Sequence, residues 1–570
     1  MDIQPRKSRP GITAALSYAD APWFGALLRR LIRQSAIERI LIVYNDGDAY
    51  PHDKCEWIPA GALVAGDTLS TVIEKARSKY LLVLPLPADL ELGPRALRRL
   101  LEAAEICQAG MVYADYLEGD APAPTAPAGD GVPPVGKRGG KGETPALREH
   151  PVNDYQLGSL RDDFDFGPLM LFSMDAIRAA LKKYGALSPF SRAGLYDLRL
   201  RVATDATLFH LREALATVIR SEPAATDAPA AADECEAWTD EGETNGGDPV
   251  GAPFAYCDPR QQDRQREMES AATAHLKRLG AWLKPRFRSV APVPQTFPVE
   301  ASVVIPVRNR KKTIADAVRS ALSQEADFPF NVLCIDNHST DGTTAVLEKL
   351  AKADPRVIHL VPARRDLGIG GCWNEALRAE ACGRFAVQLD SDDVYSGPDT
   401  LRRIVQCFRE GDFAMVIGAY TLVDERGDAL PPGLIAHREW TDDNGRNNAL
   451  RINGLGAPRA FQTALARQIG FLNVSYGEDY AIALRLTREY RIGRIYENIY
   501  LCRRWSGNSD SALTVAQTNR HDAFKDTLRT LEIMARRQMN PRPPVPVQAR
   551  EGGRGYPGYG PPAYRSGAPS

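Results

Sequence analysis

Residues 384–393, RFAVQLDSDD, decide how this chain is read: an apolar run of strand length stops abruptly at Asp390-Ser391-Asp392-Asp393. A strand covered on both faces is continuously apolar rather than alternating, and it belongs to a parallel sheet. The same pattern recurs upstream in ASVVIPV (301–307), in NVLCID (331–336) and in a shorter run near Val357. Helical stripes fall between these runs. Thr313 opens a Thr-x-x-Asp capping pattern ahead of Ile314, Ala317, Val318, Ala321 and Leu322, spaced i, i+3, i+4, i+7, i+8. Further helices are expected from Thr343 to Lys352 and from about Gly370. Alternating strands and helices specify an α/β fold, Rossmann-like in its alternation, in which ligands collect at the carboxyl ends of the strands. The polar clusters of this block lie at those ends.

Outward from this block, composition divides the 570 residues. Ala/Pro/Gly-rich stretches cannot bury enough apolar surface to offset their ordering entropy. Residues 119–144 read as an exposed, disordered insertion, 222–261 as an acidic linker and 541–570 as a disordered Pro/Gly/Tyr tail, with a short tail at 1–10. Residues 262–298 read as a connecting helical segment with apolar positions Ala271, Ala274, Leu276, Leu279 and Leu283. Two globular blocks remain, 11–221 and 299–540.

Lys+Arg 71 against Asp+Glu 72 leaves a net charge of -1, so there is no electrostatic footprint for nucleic acid. Nine scattered cysteines without a Cys-x-x-Cys pair exclude a disulfide framework and a zinc knuckle, which fits a reducing cytoplasm. The start, MDIQPRKSRP, lacks the apolar stretch of a signal peptide, and no apolar run approaches the ~20 residues that span a bilayer. A soluble protein is expected, with a peripheral position at the inner face of the plasma membrane compatible with it.

The two blocks can be laid over each other. KYLLVLPLPADLELGPRALRRLLE (79–102) follows RFAVQLDSDDVYSGPDTLRRIVQ (384–406) in strand, Gly-Pro helix start and Leu-Arg-Arg helix, and Tyr116 then falls opposite Tyr420. In this register Pro85 and Pro87 stand where Asp390 and Asp392 stand. Proline carries no carboxylate; only the neighbouring Asp89 and Glu91 offer a substitute. A duplicated fold whose first copy has lost its chemistry is the expectation.

IPVRN (305–309), IDNHSTDGT (335–343), LGIGGCWNEA (367–376), LDSDD (389–393) and GEDY (477–480), in this order and spacing, resemble the family 2 glycosyltransferases over about 299–510. The resemblance implies the GT-A nucleotide-sugar fold, in tandem with a degenerate first copy, and a nucleotide-sugar donor, most often a UDP-sugar. It assigns Pro306, Val307, Arg308, Asn309, Asp336, Asn374, Asp390, Ser391 and Arg504 to the donor, with Asp336 on the base. A divalent cation, Mg²⁺ or Mn²⁺, falls to Asp392 with Asp393 in support; a hard cation bridging a diphosphate needs carboxylate oxygens held at a strand end. Asp479, beside Glu478, takes the role of general base, and a base on the face opposite the leaving diphosphate predicts inversion. Trp505 is a candidate sugar-stacking residue, and 445–462 falls on the acceptor side by its place in the motif order. The acceptor, whether saccharide, lipid-linked glycan or protein, is not specified by these residues.

Three other readings are weighed. Gly368-Ile369-Gly370-Gly371 lacks the third glycine of a dinucleotide fingerprint, because Trp373 stands there. Asp390-x-Asp392-x-Val394 also fits a haloacid-dehalogenase-like phosphohydrolase, but that motif belongs near the start of its domain. A non-catalytic nucleotide-sugar scaffold is the third, and retention of Asp392 and Asp479 argues against it.

Overall fold

The computed structural model describes residues 11–45, 52–120, 147–220, 261–291, 296–505 and 513–540. Most of the expected insertion, nearly all of the acidic linker and the Pro/Gly/Tyr tail lie outside these residues; Gly119 and Asp120 instead close a strand. The described residues form two α/β units.

In the first unit the elements run β1 (Ile12–Ser17), α1 (Phe24–Ile32), β2 (Ile37–Tyr44), β3 (Cys55–Pro59), α2 (Gly66–Lys75), β4 (Tyr80–Leu84), β5 (Asp89–Leu92) and α3 (Ala96–Cys107). They continue with β6 (Met111–Ala114), β7 (Tyr116–Asp120), β8 (Arg148–His150), β9 (Met170–Ser173), α4 (Met174–Tyr184), α5 (Gly194–Asp205), β10 (Leu208–Leu211) and β11 (Ala216–Arg220). Helix α6 (Gln262–Leu279) follows, and Gly280 ends it in the left-handed region at φ 72°, short of the residue 298 expected for the connecting segment.

The second unit runs β12 (Ala301–Val307), α7 (Ile314–Leu322), β13 (Phe330–Asp336), α8 (Thr343–Ala353), β14 (Val357–Leu360), α9 (Ile369–Arg378), β15 (Phe385–Gln388), β16 (Val394–Tyr395) and α10 (Thr400–Glu410). Then come β17 (Phe413–Val423), β18 (Ala429–Ile435), α11 (Gly445–Asn448), β19 (Arg459–Gln462), α12 (Thr463–Ile469), α13 (Glu478–Thr487), β20 (Arg491–Arg503) and α14 (Val515–Met539). The apolar runs read from the sequence are the central strands: every residue of β13 and β15 is buried. Helix α7 buries Ile314, Ala317, Val318 and Ala321, the stripe expected from the spacing. Thr313 occupies the N-cap of α7 but caps nothing with its side chain; its hydroxyl is buried and unbonded.

Strand order and direction are the same in both units. The first sheet reads β3-β2-β1-β4-β9-β6-β10 and the second β14-β13-β12-β15-β19-β17-β20. In each, the first four strands are parallel, the fifth is antiparallel to both its neighbours, and the last two are parallel. Registers match as well. Leu81 lies between Thr13 and Phe172, as Ala386 lies between Ser302 and Phe461. Counting four and six residues onward sets Pro85 and Pro87 against Asp390 and Asp392. The same ladders set Tyr44 against Asp336 and Trp57 against His359. The Trp57 ring meets two tyrosines there, its centroid 5.6 Å from that of Tyr18 and 5.5 Å from that of Tyr44.

The units share core. Leu160, Tyr196 and Leu200 of the first pack in one apolar cluster with Met268 and Leu276 of α6 and with Tyr480, Leu528 and Ile533 of the second. Among the described residues, no helix is long and apolar enough to cross a membrane.

Candidate active site

Strand β15 ends at Gln388, and the chain turns through Asp390, Ser391, Asp392 and Asp393 before pairing β16 with β20. Gln388 donates from Nε2 to both oxygens of Asp390, at 2.9 and 3.0 Å, while the Asp390 N–H donates to the Tyr500 hydroxyl at 3.0 Å. Burial pushes the Asp390 carboxyl above the usual carboxylate range; the Gln388 hydrogen bond and Arg459 pull it back, and the charges of Asp392 and Asp479 push it further up. Arg459, Asp392 and Asp479 are thus near enough for their charges to act on the Asp390 carboxyl. The Asp392 carboxylate meets the Trp505 Nε1 at 3.4 Å and Arg310 at 3.6 Å.

Asp393, expected in support of the cation, also ties the turn to its neighbour strand. It is 4% exposed, and its Oδ1 accepts the backbone N–H of Arg503 at 2.8 Å, which ties the Asp390–Asp393 turn to β20. Burial is the main reason its carboxyl is pushed well above the ordinary range, with the charges of Asp390 and Asp392 adding to it.

Glu478 and Asp479 open α13 behind Gly477, which adopts φ 79° to turn the chain into the helix. The Asp479 carboxylate takes the Arg459 guanidinium at 2.9 Å and the N–H of Tyr480 at 2.7 Å. Burial opposes its charge, but Arg459 and Lys525 outweigh burial and hold its pKa below the usual carboxylate value. Glu478 goes the other way. Its Oε2 is buried without a hydrogen-bond partner, and burial together with the Asp479 charge pushes its pKa up to about 8. Two adjacent carboxyls thus hold opposite protonation states near neutrality, the pattern by which environment assigns acid and base roles. Glu478 also explains a glycine: a Cβ on Gly370 would stand 1.9 Å from the Leu472 carbonyl and 2.9 Å from the Glu478 Cβ. The glycines read as a rejected dinucleotide motif are packing glycines at the start of α9.

Two donor residues expected from the sequence also bond within the chain. Asp336 is fully buried, accepting from Ser339 N–H at 3.0 Å and the Thr344 hydroxyl at 2.6 Å and lying 3.3 Å from His359. It organises the turn after β13. Asn374 donates to the Phe471 carbonyl and accepts the Phe471 N–H, both at 2.9 Å, so its amide fixes the loop after α12. The free acceptor in the β13 turn is Asn337, whose Nδ2 bonds Leu367 O at 2.8 Å while its buried Oδ1 has no partner.

Pro306 and Val307 end β12, with Arg308 and Asn309 exposed beyond them. Asn309 sits at φ 55° and accepts the Thr340 N–H at 2.8 Å, joining the β12 and β13 ends. Ser391 is buried within the acidic turn, and the Arg504 N–H bonds Val423 O at 2.7 Å beside it. Sequence reasoning missed Arg310, Asn337 and Arg459. Isolated arginines and an asparagine at strand ends and turns carry no periodic signal; only the fold brings them to the carboxylates.

The family description "Glycosyl transferase family 2" matches residues 302–468. This part of the chain is similar to the family 2 glycosyltransferase domain. Curated relatives agree with the match. A Bacillus subtilis (strain 168) protein assigned provisionally as the teichuronic acid biosynthesis glycosyltransferase TuaG is 32% identical over 149 residues, 26% of this chain and 58% of that one. The poly(ribitol-phosphate) beta-glucosyltransferase of Bacillus spizizenii is 23% identical over 241 residues, 41% of this chain and 37% of that one. The chain thus spans 58% and 37% of the length of these relatives. Among solved structures, S. aureus TarS 1–349 in complex with UDP-GlcNAc is 22% identical with a TM-score of 0.32, covering 42% of this chain and 73% of that one. The matched stretch contains the β15 aspartates, Asn337 and Arg459; Glu478 and Asp479 lie just beyond the matched residues.

Proposed function

We propose that the chain is a metal-dependent, inverting glycosyltransferase that moves a sugar from a nucleotide-sugar, a UDP-sugar first among candidates, to an acceptor hydroxyl of a cell-surface polysaccharide or related glycan. The observation that carries this reading is the Asp390–Asp392 turn at the end of β15, close enough to the Arg459–Asp479 ion pair for the Asp479 charge to act on Asp390. The names of the two Bacillus relatives favour a surface polymer as product.

The residues present fit a divalent cation. Among the described residues no three candidate ligands are grouped to hold an ion by themselves. Mg²⁺ and Mn²⁺ sites at phosphates use one or two carboxylates, the remaining ligands coming from the phosphates and water. Asp392 would hold the ion with Asp390 behind it, and the bound ion would neutralise the charge of the departing diphosphate. Crowded carboxyls pushed up by burial and mutual repulsion at Asp390 are the electrostatic counterpart of such a site.

Asp479, ionised through Arg459, accepts the proton of the attacking hydroxyl on the face opposite the leaving group, so the anomeric configuration inverts in one displacement. The imide N–H of the nucleotide base falls to the end of β13, where Asp336 and Asn337 lie. Matching strand order and register support the first unit as a second GT-A-like copy without chemistry, with prolines at the metal positions and Tyr44 at that of Asp336. Seven free cysteines among the described residues suit a reducing cytoplasm.

The test is a donor screen reading nucleotide release across UDP-, GDP- and dTDP-sugars with Mg²⁺ or Mn²⁺. Asp392→Asn removes metal-dependent turnover, and Asp479→Asn removes turnover while nucleotide binding persists. Near-normal turnover by Asp479→Asn overturns the assignment of the base.

A further inference from the structure

Helix α14 lies beyond the family match and bridges the units. Its backbone rides directly on Gly158 of the first unit, where a Cβ would stand 2.1 Å from Asp526 O and 2.4 Å from Thr530 N. The Gly158 N–H donates to the Thr530 hydroxyl at 2.8 Å, Ser159 Oγ donates to Asp526 Oδ2 at 2.8 Å, and Arg161 pairs with Asp522 at 3.3 Å and Asp526 at 3.5 Å.

One turn along α14, Arg529 is fully buried and divides its donors among three places. Its Nη1 takes Asp526 Oδ1 at 2.7 Å, its Nε takes the Tyr480 hydroxyl at 3.1 Å, and its Nη2 takes Ile452 O at 3.0 Å and Asn453 Oδ1 at 2.6 Å. Tyr480 in turn donates its hydroxyl to Ala449 O at 2.6 Å and its N–H to Asp479. Residues 452–453 lead through Gly456, whose carbonyl takes Arg459 Nη1 at 2.9 Å, to Arg459 itself. A second contact from the first unit reaches the same loop, as Asn453 Nδ2 donates to Asp163 Oδ2 at 3.0 Å.

We infer that Arg529 is a positioning residue for the transfer reaction, and that the first unit, through Ser159 and Asp526, completes the active site by fixing the two supports of Asp479: the start of α13 and the segment that leads into β19 at Arg459. The inference rests on Asp479 being the base. A buried guanidinium must satisfy its N–H groups in a rigid planar fork, so its acceptors are held at fixed relative positions; a lysine, with a compact charge on a flexible stem, does not impose that geometry. The first unit therefore does more than add core. It orients the Asp526 carboxylate that orients the fork.

The experiment uses the full chain with UDP-glucose or UDP-N-acetylglucosamine, whichever the unmodified chain hydrolyses faster, with Mn²⁺. UDP release, UDP affinity by calorimetry and thermal unfolding are measured for Ser159→Ala, Ser159→Thr, Tyr480→Phe, Arg529→Lys and Asp479→Asn. Ser159→Ala, Tyr480→Phe and Arg529→Lys each lower kcat about tenfold, the size of a small misplacement of a catalytic group. UDP affinity stays within twofold, the acidic limb of the pH profile moves to higher pH as Asp479 loses its fixed partners, and Ser159→Thr restores activity. If Asp479→Asn is inactive while the other variants keep kcat within twofold and an unmoved acidic limb, the positioning role is wrong and the base stands. If activity, UDP affinity and thermal stability fall together, the contacts are structural only and the inference fails. If Asp479→Asn turns over normally, the base assignment fails and this inference with it.

Discussion

The guanidinium of Arg459 stands 2.9 Å from the carboxylate of Asp479, and both side chains are partly exposed to the space at the end of β15. An opposite charge at this range lowers a carboxylate pKa by about 1–3 units, and here that effect exceeds the cost of burial. Arg459→Gln keeps a hydrogen-bond donor and removes the charge. The acidic limb of the kcat/KM profile moves to higher pH, and turnover at pH 6 falls more than at pH 8. A profile superimposable on that of the unmodified chain sinks the pairing as an electrostatic device.

Glu478 supplies the opposite sign. Its folded pKa of about 8 lies above its unfolded value, so the folded state holds an extra proton between the two, and stability falls as pH rises through 8. Glu478→Gln mimics the protonated acid and flattens this dependence. Its melting temperature exceeds that of the unmodified chain at pH 9 and comes close to it at pH 5. Equal melting curves at pH 9 show that the buried carboxyl is not protonated near neutrality.

Within the acidic turn the two neighbours separate by function. Asp392 meets only side chains of Arg310 and Trp505 in the contacts above, whereas Asp393 is bound to the chain of β20. Asp392→Asn raises the Mn²⁺ concentration for half-maximal turnover at least tenfold with little change in melting temperature. Asp393→Asn lowers stability by about 1–3 kcal/mol, the cost of disturbing a buried hydrogen bond to a carboxylate, and leaves the metal requirement within twofold. A reversed pattern returns Asp393 to the metal.

These residues show what a sequence can and cannot carry. The runs at 301–307, 331–336 and 384–389 identify central strands because only a strand buried on both faces is apolar throughout. The match of Pro85 and Pro87 to Asp390 and Asp392 is legible because a ladder register is a count along the chain, and the two sheets keep it. Side-chain direction is not legible in this way. IDNHS names a polar turn, but which of Asp336 and Asn337 turns inward depends on Thr344 and His359, eight and twenty-three residues away. Arg529 lies further still from any motif, and its partners come from three separate segments.

Two histidines of the first unit add to the fall of stability with rising pH that Glu478 gives. His210, almost fully buried, lies 2.9 Å from Asp115 through Nε2 and 2.8 Å from Asp154 through Nδ1, with its ring stacked on Tyr113. Burial opposes the imidazolium, yet the two carboxylates win and its pKa is raised. His150, between Glu118 and Asp165, is raised in the same balance. A raised histidine contributes stability that is fully present below the unfolded pKa of about 6.5 and is lost as pH rises through the folded value. The melting temperature of the full chain therefore falls as pH rises above 6.5, and His210→Gln removes part of that fall while lowering stability at pH 6. UDP affinity stays unchanged, because His210 sits at β10 of the first unit, away from the β15 aspartates. If His210→Gln leaves the pH dependence of melting intact, the ring is neutral in the folded chain and the carboxylates do not hold its proton.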